Sequence, residues 1–302
     1  MSQLLIFGDS LCDTGNARAL LGDRAFPCPP HWANRRCNVP LWVEGLAAGL
    51  GLPPLLPSME GGTNHAFGGA RSGPGLSPKG VPNLLTQVEA FASRDQPASQ
   101  ASNATLAVLR AGANDYLDAP PGPAVGEAVN AHLLAAVHAL ADRGLRRFLV
   151  PDELPWGFSP IELPGIGEPE RRAINGLIVR QNNALRQELA DLAARRGLVV
   201  LQPEFHRLLV EVRAQPEAWG FREIRQPALT AAGSGPSGAL LAGPQGVVLA
   251  GPQECSPPSS EPAVPDASGF LWWDAWGHLT SAFHRHLAER ALGVLRGRGA
   301  AT

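Results

Sequence analysis

The chain opens with the segment Leu4-Leu5-Ile6-Phe7-Gly8-Asp9-Ser10, a short apolar run that stops at a glycine and leads directly to an aspartate and a serine. An unbroken apolar run of this length is typical of a strand that is buried on both faces of a parallel sheet. Ser10 would then follow the carboxyl end of that strand, at the edge where open α/β sheets bind their ligands. A Gly-Asp-Ser tripeptide by itself is more often an ordinary turn, whereas the longer segment with Asp13 and Gly15-Asn16 is more specific.

Strand and helix patterns alternate along the rest of the chain. The predicted later strands are residues 105–109, 147–150 and 198–201, and the predicted helices are residues 41–50, 84–93, 124–142, 168–196 and 279–295. This alternation predicts an α/β fold of three layers, with a central parallel sheet covered by helices on both faces. A length of 302 residues fits a single domain over residues 1–302.

Residues 225–268 interrupt the alternation. This stretch is dense in Gly, Pro, Ala and Ser and shows no sustained periodicity, so it predicts a structureless insertion within the domain. Long loops of this kind are uncommon in compact domains. Two interpretations stay open, a lid over a binding cleft and a passive loop.

Composition and charge exclude several classes of partner. The 25 basic and 27 acidic residues give a net charge of −2 without long runs of either sign, so nothing favours nucleic acid or an anionic membrane surface. No apolar run approaches the ~20 residues of a membrane span, and we expect no stable membrane insertion. The amino terminus lacks a signal-peptide pattern, which predicts a cytoplasmic protein as written, or an exported one if a signal was removed. The sequence leaves the oligomeric state open.

The chain has four cysteines, Cys12, Cys28, Cys37 and Cys255. They form no CxxC pair and no zinc-like cluster with histidine, so we expect no structural metal. Cys28 and Cys37 flank a short loop and are candidates for a disulfide in an oxidising compartment, although spacing alone does not decide whether they pair.

Two segments carry groups suited to binding a developing negative charge. Asn64-His65-Ala66-Phe67-Gly68-Gly69-Ala70 contains paired glycines, which let backbone N–H groups approach a substrate closely as an oxyanion hole requires. His65 has no acidic partner at a recognisable spacing and is interpreted as structural. Gly112-Ala113-Asn114-Asp115 follows a predicted strand, and an asparagine there can donate its amide N–H to an oxyanion. Each segment in isolation is also an ordinary turn sequence.

A further segment, Trp272-Trp273-Asp274-Ala275-Trp276-Gly277-His278-Leu279-Thr280, precedes the last predicted helix. An aspartate shortly before a histidine can orient the imidazole and stabilise its protonated form. The alternative is an aspartate that caps the helix beside an incidental histidine, since His284 and His286 follow closely. The three tryptophans are candidates for an acyl pocket, but core packing is the favoured interpretation.

Taken together, the order Ser, Gly, Asn, Asp…His resembles the GDSL/SGNH hydrolase family, which is defined by the Ser, Gly, Asn and His of four such blocks. The likeness covers about residues 3–295 without the insertion, and is closest to the lipase-like subgroup of bacterial esterases, haemolysin-type phospholipases and plant GDSL lipases. It includes three further segments, residues 29–44, 150–155 and 182–185. The resemblance implies a flavodoxin-like SGNH hydrolase fold.

The resemblance also implies a role for each matched residue. Ser10 would be the nucleophile, His278 its general base, and Asp274 the residue that orients His278. The backbone N–H groups of Ser10 and Gly69 would form the oxyanion hole with the Asn114 side chain. Asp9 and Asp13 would fix the loop around the nucleophile.

The implied reaction is hydrolysis of a small-molecule or lipid ester through an acyl-enzyme, without cofactor or metal. An acyltransferase that uses the same acyl-enzyme is one alternative, and a non-catalytic ligand-binding protein on the same scaffold is another.

One departure from the family pattern concerns the base. The family usually has Asp-x-x-His followed by Pro-Thr, whereas three residues separate Asp274 from His278 and Leu279 replaces the proline. We expect the loop to absorb the extra residue if Gly277 adopts a backbone conformation that other residues avoid.

Overall fold

The central sheet of the computed structural model has four parallel strands in the order in which they occur in the chain. These are β1 (Gln3–Gly8), β2 (Thr105–Arg110), β3 (Arg147–Leu149) and β4 (Val199–Leu201). The structure describes residues 1–22, 34–38, 40–93, 104–118, 122–161, 167–229, 240–243, 246–249 and 266–297. Gly8 pairs with Arg110 at the end of the β1–β2 register, so the carboxyl ends of these two strands lie side by side. The predicted strands and the parallel sheet are confirmed.

Residues 63–67 extend the sheet along the outer edge of β1. The Ile6 N–H donates to the Thr63 carbonyl at 3.1 Å, the His65 N–H donates to the Ile6 carbonyl at 2.7 Å, and the Phe67 N–H donates to the Gly8 carbonyl at 3.0 Å. With this segment counted second, the spatial order is the 2-1-3-4-5 order of flavodoxin-like folds. The point where the strand order reverses therefore lies between β1 and β2, and the segment with the paired glycines borders it.

Helices cover the sheet on both faces because successive side chains of a strand point in opposite directions. Leu4 and Ile6 face a core with α2 (Trp42–Gly49), α7 (Phe205–Ala214) and α8 (Ser281–Gly297), and Leu5 and Phe7 face a core with α3 (Leu84–Ala92), α5 (Pro123–Asp142) and α6 (Glu168–Arg196). Two short helices, α1 (Asn16–Leu21) and α4 (Ala113–Asp118), follow β1 and β2. This confirms the three-layer α/β/α fold. All five predicted helices are present, whereas α1, α4 and α7 were not predicted.

The insertion contains more regular structure than its sequence predicts. β5 (Glu223–Pro227) pairs in parallel with β8 (Phe270–Trp272), and β6 (Leu240–Gly243) forms an antiparallel hairpin with β7 (Gly246–Leu249). β5 overlaps residues 225–268 only at its end and β8 follows them, so the expectation of a structureless stretch is wrong for β6 and β7. Short Gly-rich hairpins carry little periodicity. The rest of the insertion lies outside the described residues, and the choice between lid and passive loop stays open.

Among the described helices, α5 is long and apolar enough to cross a membrane by length and composition alone. It packs against α3 and α6 and buries Val129, Leu133 and Val137. Core packing in a soluble fold accounts for an apolar helix equally well. The expected absence of membrane insertion stays a prediction, as does the single domain.

The predicted pairing of Cys28 with Cys37 concerns a residue outside the described ranges. Cys37 is buried, and the disulfide stays a prediction.

Candidate active site

A close approach of two strands fixes the backbone just before Ser10. Gly8 has a φ of +157°, and a Cβ at this position would lie 2.3 Å from the Arg110 carbonyl oxygen, so only glycine fits. Gln87 holds the same residue from the side, since it accepts from the Gly8 N–H at 2.8 Å and donates to the Gly8 carbonyl at 2.9 Å. Ser10 thus follows a rigid strand end.

Asp13 organises the loop that carries Ser10. Its Oδ1 accepts the N–H groups of Gly15 and Asn16 at 2.8 and 2.7 Å, and its Oδ2 accepts those of Ala17 and Gly68 at 3.1 and 2.8 Å. Burial raises the pKa of Asp13, while the four N–H groups favour its charged form. The carboxylate starts α1 and ties the Ser10 loop to the Gly68-Gly69 turn.

Two buried asparagines reinforce this connection. The Asn16 amide donates to the carbonyls of Asn64 and Ala66 at 2.7 and 2.9 Å. In return, the Asn64 amide donates to the Cys12 carbonyl at 2.6 Å and to the Thr14 hydroxyl at 3.0 Å. The first and second sequence segments therefore form one hydrogen-bonded unit.

A buried charge network lies next to the segment that carries Ser10. One Arg110 nitrogen contacts the Asp9 carboxylate, and the other lies 2.8 Å from Glu153 Oε1, which also accepts from the Trp156 indole at 2.6 Å. All three charged side chains are at most 4% exposed. Burial raises the pKa of Glu153 to about 7, with the Arg110 charge opposing the rise and the Asp9 charge adding to it. The network immobilises Asp9, as its expected structural role requires.

Sequence analysis missed Arg110 and Glu153. The sequence carries one signal for this pair, because Arg110 ends the mainly apolar strand β2. A buried arginine at such a position needs charged or polar partners.

His278 lies in hydrogen-bond contact with both Ser10 and Asp274. Its Nε2 is 3.0 Å from Ser10 Oγ, and its Nδ1 is 2.8 and 3.0 Å from the two Asp274 oxygens. A carboxylate only accepts hydrogen bonds, so Nδ1 carries the proton and Nε2 accepts from the Ser10 hydroxyl. The structure therefore brings together the three residues predicted as acid, base and nucleophile.

The loop between Asp274 and His278 folds around the carboxylate. Asp274 Oδ1 accepts the Trp276 and His278 N–H groups at 3.0 and 3.1 Å. Gly277 has a φ of +82°, in the left-handed region, and a Cβ there would lie 3.0 Å from Ser159 Cβ. The loop thus accommodates the extra residue as expected, and Asp274 stays within hydrogen-bond distance of His278 despite the longer spacing.

Asn114 lies in the first turn of α4, close to the paired glycines. Its side-chain amide donates one hydrogen to the Ala70 carbonyl at 2.9 Å, which leaves its second amide hydrogen for another acceptor. The Gly68 N–H is occupied by Asp13. The N–H groups of Ser10 and Gly69, in contrast, donate to none of the residues that the structure describes. Gly69 rather than Gly68 is therefore the available backbone donor of the pair.

The family model described as GDSL-like lipase/acylhydrolase matches residues 4–291. The chain belongs to this family. It is similar to two GDSL esterases/lipases of Arabidopsis thaliana at 26% and 24% identity, each over 97% of this chain and 84% of the relative.

Among solved structures, an acetyl xylan esterase aligns at 12% identity with a TM-score of 0.41, over 96% of this chain and 98% of that one. An acetylxylan esterase of Geobacillus stearothermophilus aligns at 16% identity with a TM-score of 0.37, over 77% of this chain and 89% of that one. The family assignment rests on the sequence match.

Two other histidines of this GDSL protein are structural. His65 is buried and stacks on Phe7 with 5.1 Å between ring centres. His284 is buried and accepts the Trp42 N–H at Nδ1 over 3.2 Å. Burial, together with the charges of His278 and Arg110, lowers the pKa of His284 to about 3. It is therefore neutral near pH 7, and it points its nitrogen at a backbone group rather than at Ser10.

The tryptophans of the last GDSL segment divide into two kinds. Trp272 and Trp273 are fully buried, and the Trp272 indole donates to the Ile224 carbonyl at 3.0 Å. Core packing, the favoured interpretation, is confirmed for these two. Trp276 is half-buried in the loop around Asp274 and stays a candidate for contact with substrate.

Proposed function

We propose that this GDSL family member hydrolyses carboxylic esters by two-step acyl transfer, with Ser10 as its nucleophile. The observation that carries the proposal is the continuous chain of hydrogen bonds from Asp274 through His278 to Ser10. These hydrogen bonds lie at the carboxyl edge of the sheet, where the strand order reverses. A serine hydroxyl needs an adjacent oriented base to act as a nucleophile near neutral pH.

In the first step, Ser10 Oγ attacks the ester carbonyl carbon while its proton passes to His278 Nε2. Asp274 keeps the imidazole in the required tautomer and stabilises the imidazolium that forms. The negative charge on the carbonyl oxygen is bound by the N–H groups of Ser10 and Gly69 and by the Asn114 amide. The carbon–oxygen bond then breaks, and the alcohol leaves with the proton from His278.

In the second step, water attacks the acyl group on Ser10. His278 accepts a proton from this water, the second tetrahedral intermediate uses the same donors, and its collapse returns the proton to Ser10. The carboxylic acid is released and the free serine is restored. An acyltransferase would differ only in using an alcohol in place of water.

The Asp274 loop argues for catalysis over mere ligand binding. The unusual spacing between Asp274 and His278 is the feature of the sequence that keeps a non-catalytic protein open as an alternative. Since Gly277 absorbs the extra residue and Asp274 remains 2.8 Å from His278, that reason no longer applies.

The test is the hydrolysis of 4-nitrophenyl esters from acetate to palmitate by wild type and Ser10→Ala. Ser93→Ala, which alters an exposed serine at the end of α3, is the matched control. We expect hydrolysis that is lost in Ser10→Ala alone, and the preferred chain length will separate a short-chain esterase from a lipase. A folded wild type that cleaves none of the esters contradicts the proposal. New ester formed from an added alcohol acceptor would assign the transferase alternative.

A further inference from the structure

Lys79 is the only lysine in the chain, and its side chain crosses the backbone of Gly69. A Cβ at Gly69 would lie 2.6 Å from Lys79 Cδ and 3.6 Å from its Cε. The aliphatic stem therefore packs on the residue whose N–H is assigned to the oxyanion hole. The ammonium group is one bond beyond Cε, and the side chain that carries it is exposed to solvent.

Both signs of charge surround Lys79: it interacts with Arg36 and Arg71 and with Asp118 and Asp9. Its ammonium forms no ion pair with any residue in the described ranges, whereas neighbouring Arg71 is paired with Asp118 at 2.8 Å. Crowding by protein atoms, followed by the Arg36 charge, lowers the pKa of Lys79, although the side chain remains exposed to solvent. Arg36 in turn interacts with the charges of Asp274 and Asp13, whereas Lys79 is connected to the site through its contact with Gly69.

This placement differs from that of an ordinary surface lysine. A surface lysine extends into water, and its charge keeps no fixed relation to the rest of the protein. Here the stem packs against Gly69, and the charge forms no ion pair with the described carboxylates although Asp118 and Asp9 are within electrostatic range. An accessible ammonium group without an ion pair, next to a reacting carbonyl, is suited to bind a negative charge on the substrate.

We propose that Lys79 binds an anionic group, such as a carboxylate, on the ester that this enzyme cleaves. The inference rests on the proposed function, because it assumes that the substrate carbonyl occupies the space between Ser10 and Gly69. It makes Lys79 a residue that determines specificity without any part in bond breaking. The preferred substrates are then esters with a negatively charged acid or alcohol part, rather than neutral lipids.

Two matched pairs of esters test this inference. 4-Nitrophenyl hydrogen adipate and its methyl ester differ only by a charge in the acyl part, and 4-acetoxybenzoate and its methyl ester differ only by a charge in the alcohol part. The value of kcat/KM is measured for wild type, Lys79→Met, Lys79→Arg and a control, Arg207→Gln. Arg207 is an exposed cation on α7, 67% accessible in its side chain.

We expect wild type to prefer the anionic member of at least one pair, and that pair tells which part of the substrate Lys79 contacts. Lys79→Met should lower kcat/KM for this ester about tenfold, mainly through KM, as expected for loss of a hydrogen bond to a charged group. The neutral partner should stay within about twofold, Lys79→Arg should retain the preference, and Arg207→Gln should change neither ester. The preference should also shrink as salt is added.

If wild type prefers the anionic member of neither pair, or if Lys79→Met lowers kcat/KM equally for both members of the pair that shows the preference, the role of Lys79 is overturned. Ser10-dependent cleavage of the neutral esters would leave the proposed function intact in that case. Failure to cleave any of the four esters overturns the proposed function, and the inference about Lys79 with it.

Discussion

Ser10 follows a strand of the central sheet, whereas His278 belongs to a loop that follows the small sheet of β5 and β8. The Ser10 loop is held by Asp13, which accepts four backbone N–H groups, and by the buried pair of Asp9 and Arg110. The His278 loop is held by contacts between residues that are close in the chain: the Asp274 carboxylate accepts the His278 N–H, the Trp273 N–H donates to the His278 carbonyl at 2.7 Å, and Gly277 has a positive φ.

This difference predicts which substitutions should affect stability and which should affect the rate. The position of Ser10, the proposed nucleophile, is built into the main core, so changes around it should affect folding as well as activity. The position of His278, the proposed base, depends on contacts within and next to its own loop, so changes there should affect the rate more than the stability.

Replacement of the base tests the local side of this comparison with the largest expected effect. His278→Ala should lower kcat about 10⁴–10⁶-fold, because Ser10 loses the group that accepts its proton. Ester hydrolysis and urea unfolding are measured together, and the unfolding midpoint should change little. His286→Ala removes a histidine elsewhere on α8 and should keep the rate; a similar loss in both variants would contradict the role of His278.

Asn114 tests the proposed oxyanion hole, which contains Ser10 but no residue of the His278 loop. Asn114→Ala should lower kcat on the order of 10²–10³-fold, since one donor to the developing charge is lost. Asn130→Ala is the control, because this buried asparagine also donates to a backbone carbonyl, that of Gln181 at 3.1 Å. The control should lose stability and keep its rate per folded molecule. Near-full turnover in Asn114→Ala would refute the assigned role.

A substitution at Gly277, compared with one at Gly220, distinguishes the effect of backbone strain from the effect of displacing His278. Gly277→Ala should lower kcat about 10²-fold, because its Cβ contacts Ser159 and the strained loop displaces His278. Gly220→Ala is the matched control, with a similar φ of +85° and open space around it. Both variants should lose about 1 kcal/mol of stability, and only Gly277→Ala should lose rate. Equal rates would show that the base does not depend on this turn.

His284 predicts a smaller effect, on stability as a function of pH. Its pKa is lowered to about 3 in the folded protein from about 6.5 when unfolded. The unfolded chain therefore binds a proton that the folded protein does not, and this residue removes stability as the pH falls from about 6.5 toward 3. The slope is about 1.4 kcal/mol per pH unit. His284→Asn keeps an acceptor for the Trp42 N–H and should flatten the acid decline in urea unfolding; identical slopes would contradict this account.

The sequence predicts the framework better than the connections within it. β1 and the residues that follow it were predictable because a buried parallel strand is an apolar run and its carboxyl end binds ligands. Helix α7 was not predicted, although its sequence carries a helical pattern. The apolar residues of its buried face occur at helical spacing: Phe205, Leu208, Leu209 and Val212.

The site residues could be predicted where the interacting residues are neighbours in the chain, but not where they are far apart in it. Asp274, Gly277 and His278 are neighbours in the chain, so the role of Gly277 followed from the spacing alone. The contact between Arg110 and Glu153 joins residues 43 positions apart, and Lys79 reaches Gly69 across a turn. Such pairs depend on strand register and loop path, which periodicity does not encode.

The most direct test of the account is labelling with a fluorophosphonate, which reacts only with an activated serine. Intact-protein mass spectrometry and peptide mapping should find one adduct per molecule, located on Ser10. The adduct should be absent in Ser10→Ala and form far more slowly in His278→Ala. A folded wild type without an adduct, or an adduct that persists in Ser10→Ala, would contradict the assignment of Ser10 as the nucleophile.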